Sequence, residues 1–390
     1  MKLKFFATSF AALFTVVFSA EACASWVLRP EVTESGRMII QKVLDVPYRS
    51  RLDADIRVSH CGWRWLRVGS FENGASMGMN EKGVAITTNC GDQNGEMPPA
   101  DRVRHAVSSY GVIWLVKSCA TAEEAVEALK NIGRNGLFVY GIKNYGTIVL
   151  VADARRAFLV EVGNGYAEAA EVTGGIHVVA NIWSLPGGET VSQTAFSAAR
   201  GNRARKACAV RSLQENRVDG KYTLRGCFDA SRRIRRREFA EHYVFVPGNR
   251  KATNMSLETT CFEIDPEYPA YLSCAYLALG PQRHTVYLPV PMALRQLPDK
   301  IRDGRWGEMA YAHQEAFGPE HGDLPRMTEL EDKFVAEFKA TRDQARQLLK
   351  EGKKDEAVKL LNDCFDRQYA EADQFMTALY AAAKEKIAEK

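Results

Sequence analysis

Long apolar runs are nearly missing from this sequence. Only the stretch from Phe5 to Ala20 is apolar enough to enter a bilayer, and it is shorter than the ~20 residues of a spanning helix. No transmembrane segment is therefore expected once that stretch is removed. Charge of one sign is scarce too: 52 Lys and Arg stand against 48 Asp and Glu, a formal net charge of +4. That balance lacks the electrostatic footprint of a nucleic-acid binder. The seven histidines (His60, His105, His177, His242, His284, His313 and His321) show no ligand-like spacing, and no two cysteines form a CxxC pair. A zinc site or a redox dithiol is not expected. The sequence also has no GxSxG elbow, no HExxH helix, no GxxxxGK[ST] loop and no GxGxxG turn. Serine hydrolase, zincin, P-loop and Rossmann readings lose their usual anchors.

What is present is a chain of 390 residues, 46% hydrophobic, long enough for one large core or two ordinary ones. It opens with Lys2 and Lys4, then the apolar stretch, then small residues, the layout of a secretory signal peptide over residues 1–22. The expected location is accordingly periplasmic or extracellular. Cleavage after Ala20-Glu21-Ala22 leaves Cys23 as the new N-terminus, cleavage after Ala22-Cys23-Ala24 leaves Ser25, and a third fate is lipid attachment at Cys23. Apart from Cys23 there are eight cysteines, an even number that suits either disulfides in an oxidising compartment or small buried apolar residues.

From Ser25 to Asn89 the pattern is short β-rich runs separated by turn residues, the first two (25–28 and 38–44) reading as a hairpin about Glu34-Ser35-Gly36. Helices are expected at 103–119 and at 122–132, the second opened by Thr121 and Glu124 as a capping box. Strands follow at 147–152, 157–162 and 177–180, a helix at 193–216, and strands at 271–279 and 284–288. Ser231 to Arg237 is a basic run that reads as a solvated face or a contact for an anion. Strands, then helices, then strands imply an α+β fold with helix-covered sheets. Residues 23–325 form the main domain, and 326–390 form an amphipathic helical extension packed on it, broken near Glu351-Gly352.

An N-terminal cysteine combines a nucleophile and a base in one residue: the thiol attacks, and the α-amine, with an ordinary pKa near ~8, takes its proton. The hairpin brings Lys42 and Asp45 back beside Cys23. Lys42 would favour the thiolate, and the Asp45 carboxylate would orient the α-amine.

Cys23-Ala-Ser-Trp26, Lys42-Val-Leu-Asp45 and Gly78-Met-Asn-Glu-Lys-Gly83 resemble the opening of the N-terminal-nucleophile (Ntn) linear amide hydrolases. That superfamily includes choloylglycine (bile salt) hydrolases, penicillin V acylases, isopenicillin N acyltransferase-like proteins and Ntn dipeptidases. Lys42 stands where the bile salt enzymes usually carry arginine, which sets the chain nearer the acyltransferase-like branch. Val178-Val-Ala-Asn181 is similar to the segment whose asparagine helps bind the oxyanion, and Asn89 resembles the other active-site asparagine. Ser197-Ala-Ala-Arg200-Gly-Asn-Arg203 resembles the helix start that supplies an active-site arginine, Arg200 being the better match and Arg203 the next. The resemblance implies an αββα four-layer sandwich and cleavage of a linear amide, or acyl transfer, through a thioester on Cys23. It implies a small-molecule amide substrate and no cofactor or metal; self-association into a homo-oligomer is left open.

Overall fold

The structure, a computed structural model, describes residues 23–46, 50–70, 74–91, 106–108, 113, 117–134, 138–140, 146–163, 165–188, 196–232 and 255–389. The expected signal segment, residues 1–22, and most of the basic run beyond Arg232 lie outside the described residues. The strands are β1 (Ala24–Leu28), β2 (Met38–Val46), β3 (Leu52–Val58), β4 (Arg64–Ser70), β5 (Gly74–Asn80), β6 (Ala85–Gly91), β7 (Ala106–Ser108), β8 (Phe138–Tyr140), β9 (Gly146–Ala152), β10 (Ala157–Gly163), β11 (Tyr166–Glu171), β12 (Ile176–Val179), β13 (Met255–Ile264), β14 (Cys274–Leu279) and β15 (Leu288–Pro291). The helices are α1 (Ala122–Arg134), α2 (Phe196–Glu215), α3 (Leu224–Ser231), α4 (Pro269–Leu272), α5 (Asp299–Arg302), α6 (Arg305–Phe317), α7 (Leu324–Lys350) and α8 (Lys354–Ala388).

Two antiparallel sheets dominate, ordered β12-β1-β2-β13-β14-β15 and β11-β10-β9-β6-β5-β4-β3. Alternation along each strand separates three cores. Val27, Met38, Ile40 and Leu44 of the first sheet meet Leu66, Met77, Met79, Ile148 and Leu150 of the second. The other face of the first sheet, with Trp26, Ile39, Val43 and Tyr276, is covered by Ala209 and Leu213 of α2, Phe228 of α3 and Phe338 of α7. The outer face of the second sheet, with Ile86, Val149 and Val160, is covered by Ala125 and Leu129 of α1. Helix, sheet, sheet, helix is the α+β sandwich expected.

The long helices α7 and α8 turn about Gly352, whose φ of 78° suits glycine. They bury Phe334, Phe365 and Met376 beside the two-sheet core and Phe338 and Leu361 beside the outer one, so both cores depend on them. Next to them β15 is an edge strand carrying Pro289 and Pro291, where a missing N–H leaves no ladder bond unmade.

Local signals account for most of these elements. The Glu124 N–H bonds Thr121 Oγ1 at 3.2 Å, the N-cap half of the expected capping box, while Glu124 Oε2 accepts the N–H of Ala120, one residue before the cap, at 2.6 Å. The expected helix at 103–119 is corrected where it is described. Ala106–Ser108 is extended and pairs in parallel with Phe138–Tyr140, so strand pairing overrides helix-like composition there; 103–105 and most of 109–116 lie outside the described residues. The expected strand at 284–288 begins only at Leu288, because the His284 N–H closes a turn on Pro281 O at 2.7 Å. Strands β3, β4 and β5 carry Asp53, Asp55, Arg57, Arg64, Arg67, Gly74 and Gly78, a composition that hides their alternation.

Candidate active site

The β1–β2 hairpin sets the geometry. Gly36 takes the left-handed conformation (φ 63°) in its turn, and Thr33 Oγ1 donates to Arg37 O at 2.8 Å. The resulting register pairs Ala24 with Val43 and Ser25 with Lys42. Alternation then directs Cys23, Ser25 and Lys42 into the layer between the sheets and Asp45 to the helix-covered side.

Cys23 is fully buried, and its Sγ lies 3.9 Å from the backbone O of Asp45. Lys42 is equally buried, and its Nζ donates to the backbone O of Thr88 on β6, so the cation bridges the two sheets. Next to it, Ser25 Oγ donates to Asn89 Oδ1 at 2.7 Å. That bond fixes the Asn89 amide while its buried Nδ2 has no hydrogen-bond partner among the described residues. Such a donor, held in place and unspent, is the physical requirement for stabilising a developing oxyanion.

Asn89 reaches this position through the β5–β6 turn that begins at Asn80. Asn80 Oδ1 accepts the N–H of Lys82 and of Val84, both at 3.0 Å, and Gly83 closes the turn with φ 84°. A Cβ on Gly78 would come within 2.6 Å of Leu66 O, so the first glycine of the Gly78-to-Gly83 motif is set by strand packing.

The Asp45 carboxylate engages the helix layer. It accepts from Ser256 Oγ at 2.5 Å and from Arg205 Nη1, with Asp45 and Arg205 both deeply buried. Burial raises its pKa from 3.8 to about 6, opposed by the Arg205 guanidinium, the Ser256 hydroxyl and the Lys42 charge. The Asp45 side chain holds Arg205, and its backbone carbonyl lies against the Cys23 sulfur.

Arg205 is not among the residues that the sequence motifs select. Helix α2 buries Asn202, Arg205, Ala209, Ser212 and Leu213, a 3.6-residue stripe, whereas Arg203 is exposed. That stripe is the signal that picks Arg205 over Arg203. Arg200 lies on the α2 backbone, but its side chain falls outside the described residues.

Asn181 sits just past β12 and is nearly buried; its Nδ2 donates to Cys90 O at 2.6 Å, and its own backbone O accepts from Asn202 Nδ2 at 3.3 Å. Its donor is thereby spent on the neighbouring strand, and the atom without a partner is the acceptor Oδ1. The segment after it is pinned by the buried Glu161 carboxylate, which accepts from the Ser184 N–H at 2.7 Å and the Leu185 N–H at 3.1 Å. Trp183 lies so close to Gly91 and Gly146 that a Cβ on either would stand 2.7 or 2.6 Å from its ring. The structure thus brings Cys23, Lys42, Asp45, Asn89 and Asn181 into one region across β1, β2, β6 and the end of β12, and adds Ser25, Arg205 and Ser256.

Among the described residues no group of three or more His, Cys, Asp or Glu is placed to hold a metal ion, and no helix is long and apolar enough to cross a membrane. All nine cysteines are described and none is in a disulfide.

No family model matches the sequence, and no curated protein matches it. Solved structures do. A mutant conjugated bile acid hydrolase from Clostridium perfringens is similar at 13% identity and a TM-score of 0.46, over 69% of this chain and 92% of that one. The N-acylethanolamine-hydrolyzing acid amidase ortholog of Caenorhabditis elegans is similar at 12% identity and a TM-score of 0.40, over 63% and 95%. Penicillin V acylase from Agrobacterium tumefaciens is similar at 14% identity and a TM-score of 0.33, over 66% and 86%.

Proposed function

We propose that this protein is an exported cysteine amidase: removal of residues 1–22 exposes Cys23, which cleaves a linear amide through a thioester. The observation that carries the reading is the Asn89 amide, locked by Ser25 with its Nδ2 unspent in the same inter-sheet layer as the Cys23 thiol. The α-amine of Cys23 takes the thiol proton as the sulfur attacks the carbonyl carbon. Asn89 Nδ2 donates to the oxyanion as it forms. When the C–N bond breaks, the leaving nitrogen receives the proton from the α-ammonium. Water, or a second amine in a transfer reaction, then releases the acyl group from sulfur. Arg205 and Ser256 hold Asp45, whose backbone carbonyl contacts the sulfur, so they act as positioning residues. The compounds in the names of the similar structures, conjugated bile acids, N-acylethanolamines and penicillin V, set the first substrates to try.

The test starts with intact mass and N-terminal sequence of the exported protein, followed by turnover of bile salt conjugates, N-acylethanolamines, penicillin V and acyl amino acids. The expected chain begins at unmodified Cys23, and Cys23→Ala abolishes turnover while keeping the melting temperature. A chain that begins at Ser25, carries lipid on Cys23, or stays active as Cys23→Ala overturns the mechanism.

A further inference from the structure

The inner face of β13 carries a carboxyl group that the amide-cleaving reading leaves unused. Glu258 is fully buried, and neither of its carboxyl oxygens has a hydrogen-bond partner among the described residues. Register fixes its place. The pairing of β13 with β2 shifts between Ser256 and Glu258, so Leu257 is an extra residue. Ser256 therefore faces Asp45 on the helix side, and Glu258 lies beside Leu44, with Leu279 on its other flank. One step beyond the Ala24–Val43 pair, Cys23 lies on the far side of Leu44. Cys23, Leu44 and Leu279 all face the layer between the sheets. Cys23, Leu44 and Glu258 are thus one row across three adjacent strands, spanning about 10 Å at a strand spacing of about 4.8 Å. The next row on the same face is Ser25, Lys42 and Thr260, and the Thr260 hydroxyl also lacks a partner.

Buried polar groups in proteins are almost always hydrogen-bonded, so two unpartnered oxygens in line with the nucleophile call for a partner from outside the chain. Burial and the nearby Asp53 charge push the Glu258 carboxyl well above the ordinary value, with Arg67 and Lys42 opposing in part. That shift favours the protonated carboxyl, which has one donor and one acceptor to offer.

We propose that Glu258 is a specificity-determining residue of the Cys23 site, receiving a hydroxyl or amide group of the substrate carried across the apolar step of Leu44 from the scissile carbonyl. A group that both donates and accepts satisfies both oxygens. A second ammonium does not fit, because the buried Lys42 cation already occupies the neighbouring row. This inference rests on the amide-cleaving reading.

The test uses the processed protein and two matched series of linear amides. One series ends the acyl chain in methyl, hydroxyl or ammonium, and the other places the same three groups on the leaving amine. In one of the two, kcat/KM for the hydroxyl member is expected to exceed the methyl member by about ten- to hundredfold, with the ammonium member the poorest. Glu258→Gln keeps that preference, since its amide donates and accepts. Glu258→Met loses it and melts at a higher temperature, because an apolar side chain replaces an unsatisfied polar one. Equal rates for methyl and hydroxyl members in both series, or a preference that survives Glu258→Met, overturns the assignment. Absence of any Cys23-dependent turnover is a different result: it removes the amide-cleaving reading and this inference together.

Discussion

Replacing Arg205 with methionine isolates the buried ion pair behind Cys23. Asp45 and Arg205 show 0% and 4% side-chain exposure, so removing the guanidinium leaves a carboxyl in the interior with only the Ser256 hydroxyl bonded to it. Even in the intact protein Asp45 titrates at about 6 instead of 3.8. Below about pH 4 the group is protonated in folded and unfolded chains alike. Between pH 4 and 6 the unfolded chain loses that proton while the folded chain keeps it, so stability falls with rising pH. The loss is about 3 kcal/mol, the shift multiplied by 1.36 kcal/mol per unit. Without Arg205 the folded pKa moves higher still, because the principal opposing charge is gone. Arg205→Met is therefore expected to cost about 3–5 kcal/mol at pH 8, the range for breaking a buried pair. At pH 5, where Asp45 is already mostly protonated, the cost should fall to about 1 kcal/mol, that of one hydrogen bond. Urea denaturation of the wild type, Arg205→Met and Asp45→Asn/Arg205→Met at both pH values reads these differences. The double variant should be more stable than Arg205→Met at pH 8. Equal costs at the two pH values, or a double variant no more stable than the single, would refute the reasoning.

Asn89→Ala is expected to lower kcat by about 10²–10³-fold with little change in KM, as for a lost oxyanion donor; a change confined to KM would assign it to ground-state binding. Asn181→Ala removes the bond to Cys90 O and should lower the melting temperature as well as activity, so intact stability in that variant would contradict its anchoring role. His284 and His313 share a 2.8 Å Nδ1 to Nδ1 contact in the interior, and burial and the neighbouring His313 drive His284 down to about 3. The unfolded chain binds that proton near 6.5, so stability should fall by up to about 5 kcal/mol as pH drops from 6.5 toward 3. His284→Gln should flatten that limb of the pH–stability curve, and an unchanged slope would sink the assignment. Phe338→Ala should cost about 3–5 kcal/mol in denaturant unfolding, since Phe338 packs edge-on against Tyr276 of the first sheet; a neutral result would mean that α7 contributes little to the core.

Much of the fold was legible because its cues are local. The Glu34-Ser35-Gly36 turn and the flanking apolar runs gave the β1–β2 hairpin, and from its register came the placement of Lys42 near Cys23. Thr121 with Glu124 gave α1, and the break at Gly352 gave α7 and α8. The charged strands β3 and β4 were not legible, because Asp53 and Arg67 pair with each other across strands and look, in sequence, like solvated loop residues. The site divides along the same line. The hairpin register placed Lys42 near Cys23, and the resemblance to the Ntn hydrolases singled out Asn89 and Asn181. Arg205, Ser256 and Glu258 come from a helix and a strand more than 150 residues from Cys23, and apart from the buried stripe of α2 that carries Arg205, no motif near them marks them. What reveals them is the energetic demand of buried polar groups. A carboxylate at Asp45 needs a cation and a donor, and Arg205 and Ser256 supply them. Glu258 has the same need and no such supply within the described chain. Two carboxyl groups on neighbouring strands thus meet opposite fates: the satisfied one behaves as scaffold, and the unsatisfied one faces the layer between the sheets that Cys23 also faces.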